Sequence, residues 1–387
     1  MADKVRLTRT DGSGNEYILH PETTADQIVD LTTTMKAVFV SGAAGAQAYV
    51  PVPSTFYYHP SLFTSDRTSI TIPKDTAFVV SGRYYRVTTA TQINVGDFVD
   101  VNDRKGKDLY IYACENADYA SINPVFVVSL RSTFPEGYTD TTSRKIGGFH
   151  CLCADVGDIS GHALTGYVAG DILPASIWDL KHRPECTPEG MVYSDDLHLW
   201  IDIYLASVLS TTDFTLQSVN GAVIADGASS PKFHWYKFAQ WMANSGKRLP
   251  DQAEFISFST GSNQGTNISG SADPNTTGGH VDTASPSRRM ISNIGCEDCC
   301  GVLWQWGNEA GGPYAGASWA NAYDGNDDAG QRGQGYNVPK RVRFGDYWAD
   351  GVRCGSRASY WNAAPLSPDS GTSARGVSDS KISCSSI

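Results

Sequence analysis

Cysteine is the residue of this chain whose number and spacing could do chemistry. Of nine cysteines, Cys151 and Cys153 form a Cys-x-Cys pair, and Cys296, Cys299 and Cys300 form a Cys-x-x-Cys-Cys group. Such thiolates could converge on a zinc ion, which takes four ligands in a structural site. A second Cys-x-x-Cys at zinc-finger spacing is absent, so the pattern favours buried thiols or a disulfide. The odd count leaves at least one cysteine free or paired between chains.

Charge and apolar content exclude two classes of partner. The 387 residues include 30 Lys and Arg against 41 Asp and Glu, which gives a net charge of −11. Proteins that neutralise nucleic-acid phosphates need clustered Lys and Arg, and this chain has no basic stretch. No apolar run approaches the roughly 20 residues that span a bilayer, and the first residues lack the apolar core of a signal peptide. We therefore expect a folded protein of two or three domains without nucleic-acid binding or membrane insertion.

Strand signals dominate the first 165 residues. Residues 1–55 contain short strand-like pieces separated by Gly, Pro and Thr, with too few large apolar residues for an independent core. Residues 56–165 alternate β-branched and aromatic runs with turns, most clearly Ala77–Val80 and Arg83–Val87 around Ser81-Gly82. The sequence predicts one domain over 1–55 and an all-β domain of sandwich type over 56–165.

Helical spacing occurs only in the part of the chain from residue 166 onward. Gly246 is a natural stop for a first helix, and Asp251 to Glu254 form a capping box for a second helix that carries Phe255. The apolar residues at positions i, i+3, i+4 and i+7 of the first helix are Trp235, Phe238, Ala239 and Met242. Beyond these helices the segments are short and rich in Trp and Gly.

Several sequence motifs follow one another in this region. They are Gly246-Lys-Arg-Leu-Pro250, Trp304-x-Trp-Gly-Asn-Glu309, Arg343-Phe-Gly-Asp-Tyr-Trp348 and Gly355-Ser-Arg-Ala358. Together they resemble the C-type-lectin-like fold of the formylglycine-generating-enzyme branch. With Ser143–His150, Ser176–Pro184 and Trp200–Leu205 included, the chain is similar to the phage tropism-determinant family, the variable proteins of diversity-generating retroelements.

The resemblance implies a fold, an assembly and a function. The fold would be an α+β C-type-lectin-like domain over 166–387, with a variable region at about 344–377, preceded by a β-prism-like domain over 1–55 and a β-sandwich over 56–165. The protein would be a homotrimer at a virion tail fibre tip, or alternatively on a cell surface, that binds a host cell-surface receptor, protein or glycan. No catalytic residue, cofactor or metal is implied. The family's variable, ligand-binding positions fall on Tyr347, Ala349, Gly351, Arg353, Tyr360, Asn362, Ala363, Ser367, Asp369, Gly371 and Thr372.

Alternation over 347–354 predicts how part of this variable region is displayed. On a strand, neighbouring side chains point to opposite faces. Trp348, Val352 and Cys354 would then face the core. Asp350 would lie on the same face and is the one polar residue there. The residues of the other parity, which would face solvent, are Tyr347, Ala349, Gly351 and Arg353.

Two alternative functions require residues that this sequence has only in part. An oxygenase of the formylglycine-generating-enzyme branch uses two nearby cysteines for copper, but this chain has Cys354 with Cys384 about thirty residues further on. His is absent from 281–387. A carbohydrate-binding lectin, calcium-dependent or not, remains the main alternative, since Asn308-Glu309 and the acidic run 324–328 offer oxygen ligands. The usual Glu-Pro-Asn motif is missing, however.

The remaining motif residues are expected to build the fold. Large aromatic side chains supply core area in a domain with little regular structure, and arginines between small residues hold loops by hydrogen bonds. The predicted core residues are Trp304, Trp306, Trp348 and Trp361, and the predicted loop-holding residues are Arg357 and Arg375.

Overall fold

Regular structure in this chain is mostly β. The computed structural model describes residues 8–10, 16–18, 63–313, 319–320 and 335–381. Over those residues it contains 22 β-strands and three α-helices, which confirms the prediction of a β-rich fold with few helices. None of the described helices is long and apolar enough to cross a bilayer. Within the predicted domain 1–55, the described residues are β1 (Thr8–Thr10) and β2 (Glu16–Ile18), which pair antiparallel.

Nine further described strands and one α-helix lie between residues 63 and 180. They are β3 (Thr64–Ser65), β4 (Ser69–Ile72), β5 (Ala77–Val80), β6 (Arg83–Arg86), β7 (Thr91–Asn94), α1 (Val101–Arg104), β8 (Asp108–Cys114), β9 (Val125–Ser129), β10 (Ser143–His150) and β11 (Trp178–Asp179). The strands form antiparallel sheets in the orders β3-β4-β7, β5-β6 and β11-β10-β8-β9. Their inward side chains share one apolar core that extends from Phe63 to Ile177.

The turn between β5 and β6 is the one that the sequence predicts. Ser81 and Gly82 have φ of +53° and +73°, and positive φ at both turn residues matches the right-handed twist of a two-residue hairpin. The hairpin places Phe78 opposite Tyr85, and both side chains are fully buried. The predicted strand–turn–strand unit is therefore confirmed.

Eleven described strands and two helices follow. They are β12 (Met191–Ser194), β13 (Leu199–Asp202), β14 (Ser207–Ser210), β15 (Thr215–Gln217), α2 (Trp235–Asn244), α3 (Gln252–Phe258), β16 (Trp304–Pro313), β17 (Trp319–Ala320), β18 (Gly335–Tyr336), β19 (Pro339–Gly345), β20 (Gly355–Ala363), β21 (Thr372–Ser373) and β22 (Val377–Asp379). The sheets have the orders β12-β13-β22, β14-β15, β20-β19-β16-β21 and β17-β18. The pair β16-β21 is parallel, and the other pairs are antiparallel.

Both predicted helices are present with the expected ends. Helix α2 buries Trp235, Phe238 and Met242, and Gly246 follows it with φ of +71°. Helix α3 begins with a complete capping box: the Asp251 carboxylate accepts from the Glu254 N–H at 2.8 Å, and the Glu254 carboxylate accepts from the Asp251 N–H at 2.9 Å. These two short helices pack against the sheets through their apolar faces.

Arg375 joins segments that are distant in the sequence. Its side chain is fully buried. The guanidinium donates to the carbonyl oxygens of Asp202 at 2.7 Å and Ile203 at 2.6 Å, and also to that of Glu297. A fourth hydrogen bond, of 3.0 Å, goes to the Gln305 side-chain oxygen. The prediction that Arg375 holds loops through backbone hydrogen bonds is confirmed.

We predict that Arg375→Met strongly destabilises the fold. The substitution keeps an unbranched chain but leaves buried carbonyl oxygens without donors, so the free energy of unfolding should fall by about 3–5 kcal/mol. Urea unfolding followed by tryptophan fluorescence measures it. Arg357→Met is the control, because Arg357 is exposed and its loss should cost less than about 0.5 kcal/mol. Equal effects of the two substitutions would contradict the role given to Arg375.

Candidate functional site

The chain leaves the sheet after β19 instead of continuing as a strand. A bridge and a turn follow, and Gly351–Arg353 form a 3-10 helix before β20 begins. The predicted alternation is therefore wrong. Cys354 is buried, as predicted, but Trp348 is only half-buried and Val352 is 88% exposed rather than in the core. A 3-10 helix has three residues per turn, so its side chains do not alternate between two faces.

Two residues with positive φ cause this departure. Gly345 and Asp346 have φ of +88° and +66°, a conformation that is uncommon outside glycine. A Cβ at Gly345 would lie 2.3 Å from the carbonyl oxygen of Cys299, so only glycine fits there. The Trp348 N–H then donates to the Val302 carbonyl oxygen at 2.9 Å. The turn is thus fixed by contacts with distant parts of the chain.

A cleft of about 270 Å³ is formed by the turn, the 3-10 helix, β16 and β20. The rings of Trp304 and Tyr360 form part of its wall, with their centroids 6.1 Å apart. The Arg353 guanidinium is paired with the Asp350 carboxylate. Pockets for drug-sized ligands occupy about 300–1,000 Å³, so this cleft has room for a single side chain or a similar small group. Its lining residues are Trp304, Asp346, Asp350, Arg353, Ala358, Ser359 and Tyr360.

Asp346 provides a buried acidic group in this cleft. It is 1% exposed, and its Oδ1 accepts the Tyr347 N–H at 2.9 Å. Within the described residues, its Oδ2 has no hydrogen-bond donor. Burial raises the pKa of the Asp346 carboxyl to about 6; the charge of Asp350 also raises it, whereas the Tyr347 N–H and Arg353 lower it. The carboxylate is therefore poorly stabilised by the protein itself.

The eleven positions predicted to bind ligand differ in exposure within the single chain. The exposed positions are Ala349, Arg353, Tyr360, Asn362 and Ser367. The half-buried positions are Tyr347, Gly351 and Asp369, and the buried positions are Ala363, Gly371 and Thr372.

Trp304 connects several of these positions. Its ring lies beside Tyr360, and its backbone N–H donates to the Gly371 carbonyl oxygen at 2.9 Å. A Cβ at Gly371 would lie 3.0 Å from the ring of Tyr347. The structure thus brings Arg353 and Tyr360 together in the cleft and places Tyr347 and Gly371 next to it. Asn362, in contrast, hydrogen-bonds to the ammonium group of Lys340.

Asp369 organises the loop between β20 and β21. Its carboxylate accepts from the Arg343 guanidinium at 2.5 Å and from the Gly371 N–H at 2.8 Å. Its carbonyl oxygen accepts from the Gly227 N–H at 3.1 Å. The Arg343 guanidinium also lies 4.2 Å from the ring centroid of Trp306. This predicted site residue therefore has a structural role in addition to any ligand contact.

The predicted tryptophan core is only partly correct. Trp306 is 1% exposed, and Trp304 and Trp348 are half-buried. Trp361 is 38% exposed, because it lies on β20, which is one of the two edge strands of its sheet among the described residues. Arg357 is exposed on the same strand, and its side chain makes no hydrogen bond within the described residues.

The described part of the chain holds no metal-ligand cluster of three or more His, Cys, Asp and Glu residues. Its eight cysteines are free thiols, and Cys296, Cys299 and Cys300 are fully buried. Cys384 and the acidic run 324–328 lie outside the described residues. Glu309 accepts the Gln252 N–H at 2.8 Å, so this member of the proposed calcium pair supports the start of α3.

Sequence reasoning missed five of the seven residues that line the cleft, since only Arg353 and Tyr360 were predicted to bind ligand. The missed residues are Trp304, Asp346, Asp350, Ala358 and Ser359, and the two aspartates and Ser359 each directly adjoin a predicted position. The available signal was the Gly345-Asp346 pair after an apolar strand, because such a pair predicts a turn. Nothing local in the sequence indicates that the turn buries a carboxylate.

Comparison with known proteins confirms the resemblance predicted from the motifs. The model of a family described as "Mtd second domain" matches residues 60–179. The "Tail fiber receptor-binding protein" of Bordetella phage BPP-1 is 33% identical over 329 residues, which are 80% of this chain and 80% of that protein.

Solved structures of major tropism determinants are also similar to this chain. The M1 variant has a TM-score of 0.70 and 30% identity, covering 87% of this chain and 86% of its own. The I1 variant has a TM-score of 0.72 and 28% identity, covering 99% of this chain and 96% of its own. The similarity thus extends over most of the length of both proteins.

We predict that Asp346→Asn stabilises the protein at pH 8. A carboxyl whose pKa is raised by folding stabilises the native state in its neutral form, and this stability is lost as pH rises through about 6. Asparagine stays neutral, so the melting temperature of the variant should exceed that of the wild type at pH 8. The difference should vanish near pH 4. Asp350→Asn is the control and should not stabilise, because Asp350 is paired with Arg353. A destabilising Asp346→Asn at pH 8 would contradict the burial cost.

Proposed function

This chain belongs to the major tropism determinant family, and we propose that it is a tail fibre protein of a virion that binds a receptor on the host cell surface. Its relative from Bordetella phage BPP-1 carries the name of a receptor-binding protein of the tail fibre. The relatives are receptor-binding proteins and not enzymes. The oxygenase alternative is therefore set aside.

One observation in this structure carries the proposal. Around the cleft, side chains suited to binding are left in solvent instead of being packed. Val352 is 88% exposed, Tyr360 is 44% exposed and the Arg353 side chain is 71% exposed. Exposed apolar groups that cluster on a surface mark binding sites, and Tyr and Arg are enriched among residues that dominate binding energy.

The eleven predicted positions form the ligand-binding surface in this proposal. The exposed ones contact the receptor, and the residues at the buried positions Ala363, Gly371 and Thr372 shape the backbone beneath them. Variation at these positions through a diversity-generating retroelement is part of the proposal. It is supported by the family membership and by the mixture of Tyr, Ser, Asn and Gly, which supplies adaptable contacts in paratopes.

We extend the proposal to the assembly and the domain order. The protein is a homotrimer with a β-prism-like domain over 1–55, a β-sandwich over 56–165 and an α+β C-type-lectin-like domain over 166–387. The domain order is supported by the match of the family's second domain to residues 60–179. Three copies of one binding surface would allow weak individual contacts to give strong attachment through avidity.

We predict that the triple variant Tyr347→Ala, Arg353→Ala and Tyr360→Ala loses attachment to cells. Removing three anchor side chains should weaken binding by at least about 100-fold. Adsorption of fluorescently labelled protein to intact cells of a bacterial strain panel measures the loss, on a strain that the wild type binds.

The matched control removes comparable side chains that do not line the cleft. Tyr119, Arg131 and Phe134 are exposed, and their replacement by alanine should leave adsorption unchanged. Melting curves verify that both triple variants fold. Unchanged adsorption of the Tyr347, Arg353 and Tyr360 variant would refute the site. A wild type that adsorbs to no strain in a panel that includes the natural host would refute the function.

A further inference from the structure

We propose that the cleft between Trp304 and Tyr360 is a subsite for a primary ammonium group, and that its occupant is a lysine side chain of a receptor protein. This inference rests on the proposed receptor-binding function and specifies the chemistry that one part of the surface recognises. It depends on Asp346, Asp350 and Trp304, none of which belongs to the eleven predicted positions.

Charge is the first argument. Asp346 is 1% exposed and presents an Oδ2 without a donor among the described residues. Asp350 and Arg353 neutralise each other in an ion pair, so the cleft carries one uncompensated negative charge when Asp346 is ionised. Burying an unpaired carboxylate is costly. A cation that enters the cleft would recover the stability that this charge costs.

The walls of the cleft favour a cation on an apolar stem. The faces of tryptophan and tyrosine attract an ammonium group placed over them, and Trp304 and Tyr360 line the cleft with their centroids 6.1 Å apart. The methylene groups of lysine pack well on apolar surfaces while the charged end finds its partner. The aromatic walls thus suit both parts of this side chain.

The geometry of the carboxylate favours lysine over arginine. A guanidinium binds carboxylates best with two parallel hydrogen bonds, one to each oxygen. Asp346 Oδ1 already accepts the Tyr347 N–H at 2.9 Å, so a guanidinium would have to share Oδ1 with this N–H to form both bonds, whereas an ammonium group needs Oδ2 alone. A single acceptor matches the compact charge of an ammonium group. The volume of about 270 Å³ also suits one side chain better than an oligosaccharide.

Asp346, the group whose titration controls binding, has titratable and charged neighbours. Asp350, Arg353, Tyr347, Cys354 and the phenol of Tyr360 are the titratable or charged groups near Asp346. Burial raises the pKa of the Cys354 thiol to about 12, so this thiol stays neutral. With a carboxyl pKa of about 6, binding of a cation should be full at pH 8 and weaken as pH falls to 5, where about nine-tenths of the carboxyl is protonated.

The test uses the full-length protein and small probes. Nα-acetyl-lysine methylamide is titrated against the protein, and binding is followed by the NMR shift of the Trp304 indole N–H, assigned with Trp304→Phe. The norleucine analogue, which lacks the ammonium group, and glucosamine, which carries its amine on a polar ring, are titrated in parallel. We expect saturable shifts with the lysine probe and much weaker ones with the other two.

Three single variants separate the subsite from general electrostatics. Asp346→Asn should weaken the lysine probe about tenfold at pH 8 and remove its pH dependence between pH 5 and 8. Asp196→Asn removes the same charge from an exposed position outside the cleft. It should change neither the affinity for the lysine probe nor the pH dependence of its binding. Arg353→Gln should strengthen binding of the small lysine probe, which does not reach the other anchor positions, because it removes the cation that neutralises Asp350.

The outcomes distinguish this inference from the proposed function. Equal binding of the norleucine analogue would overturn the ammonium subsite, and tighter binding of glucosamine would overturn the lysine assignment. Loss of binding in Asp196→Asn to the same extent as in Asp346→Asn would also overturn it. In each case, the receptor-binding function would still stand if the wild type adsorbs to cells and the triple alanine variant does not.

Discussion

The hydrogen bonds of one buried guanidinium hold the C-terminal part of this fold together. Much of that part is irregular, so sheet ladders do not satisfy all of its buried carbonyl oxygens. Arg375 supplies fixed donors to carbonyls at the end of β13 and at Glu297, and to the side chain of Gln305 on β16. Next to it, the Gly376 N–H donates to the Asp202 carboxylate at 3.0 Å. A planar cation with five N–H donors is suited to this task, because it orients several segments at once.

The cleft differs from the region around Arg375 because it contains groups that the protein itself does not stabilise. The Arg375 guanidinium has four hydrogen-bond acceptors, whereas at the cleft a carboxylate is buried without a cation, a non-glycine residue adopts positive φ, and apolar side chains lie in solvent. Each of these features costs stability in the isolated chain. Proteins accept such costs at places where activity requires them. The contrast between the two regions is therefore itself an argument that the surface near Tyr360 binds something.

The sequence predicted those parts of the fold that local signals determine. The hairpin at Ser81-Gly82 and the capping box of α3 depend on residues next to one another, and both are present. The path after β19 depends on the distance between Gly345 and the carbonyl oxygen of Cys299, which no local pattern contains. The exposure of Trp361 follows from the position of β20 at a sheet edge, which is likewise non-local. The candidate positions came from the family resemblance, and the acidic group beside them came from the structure.

The return of the chain to the core after the loop has a consequence for how this surface can evolve. Strand β21 pairs Thr372 with Trp304, and β22 pairs Val377 with Ile201. These two strand pairings fix the position of the chain that follows the loop at 364–371. A loop held in this way can gain or lose residues next to the exposed Ser367 while both registers and the hydrogen bonds of Asp369 persist. One residue inserted between the two strands would instead displace Arg375 from its acceptors. New specificities are thus accessible through changes in loop length as well as through substitution.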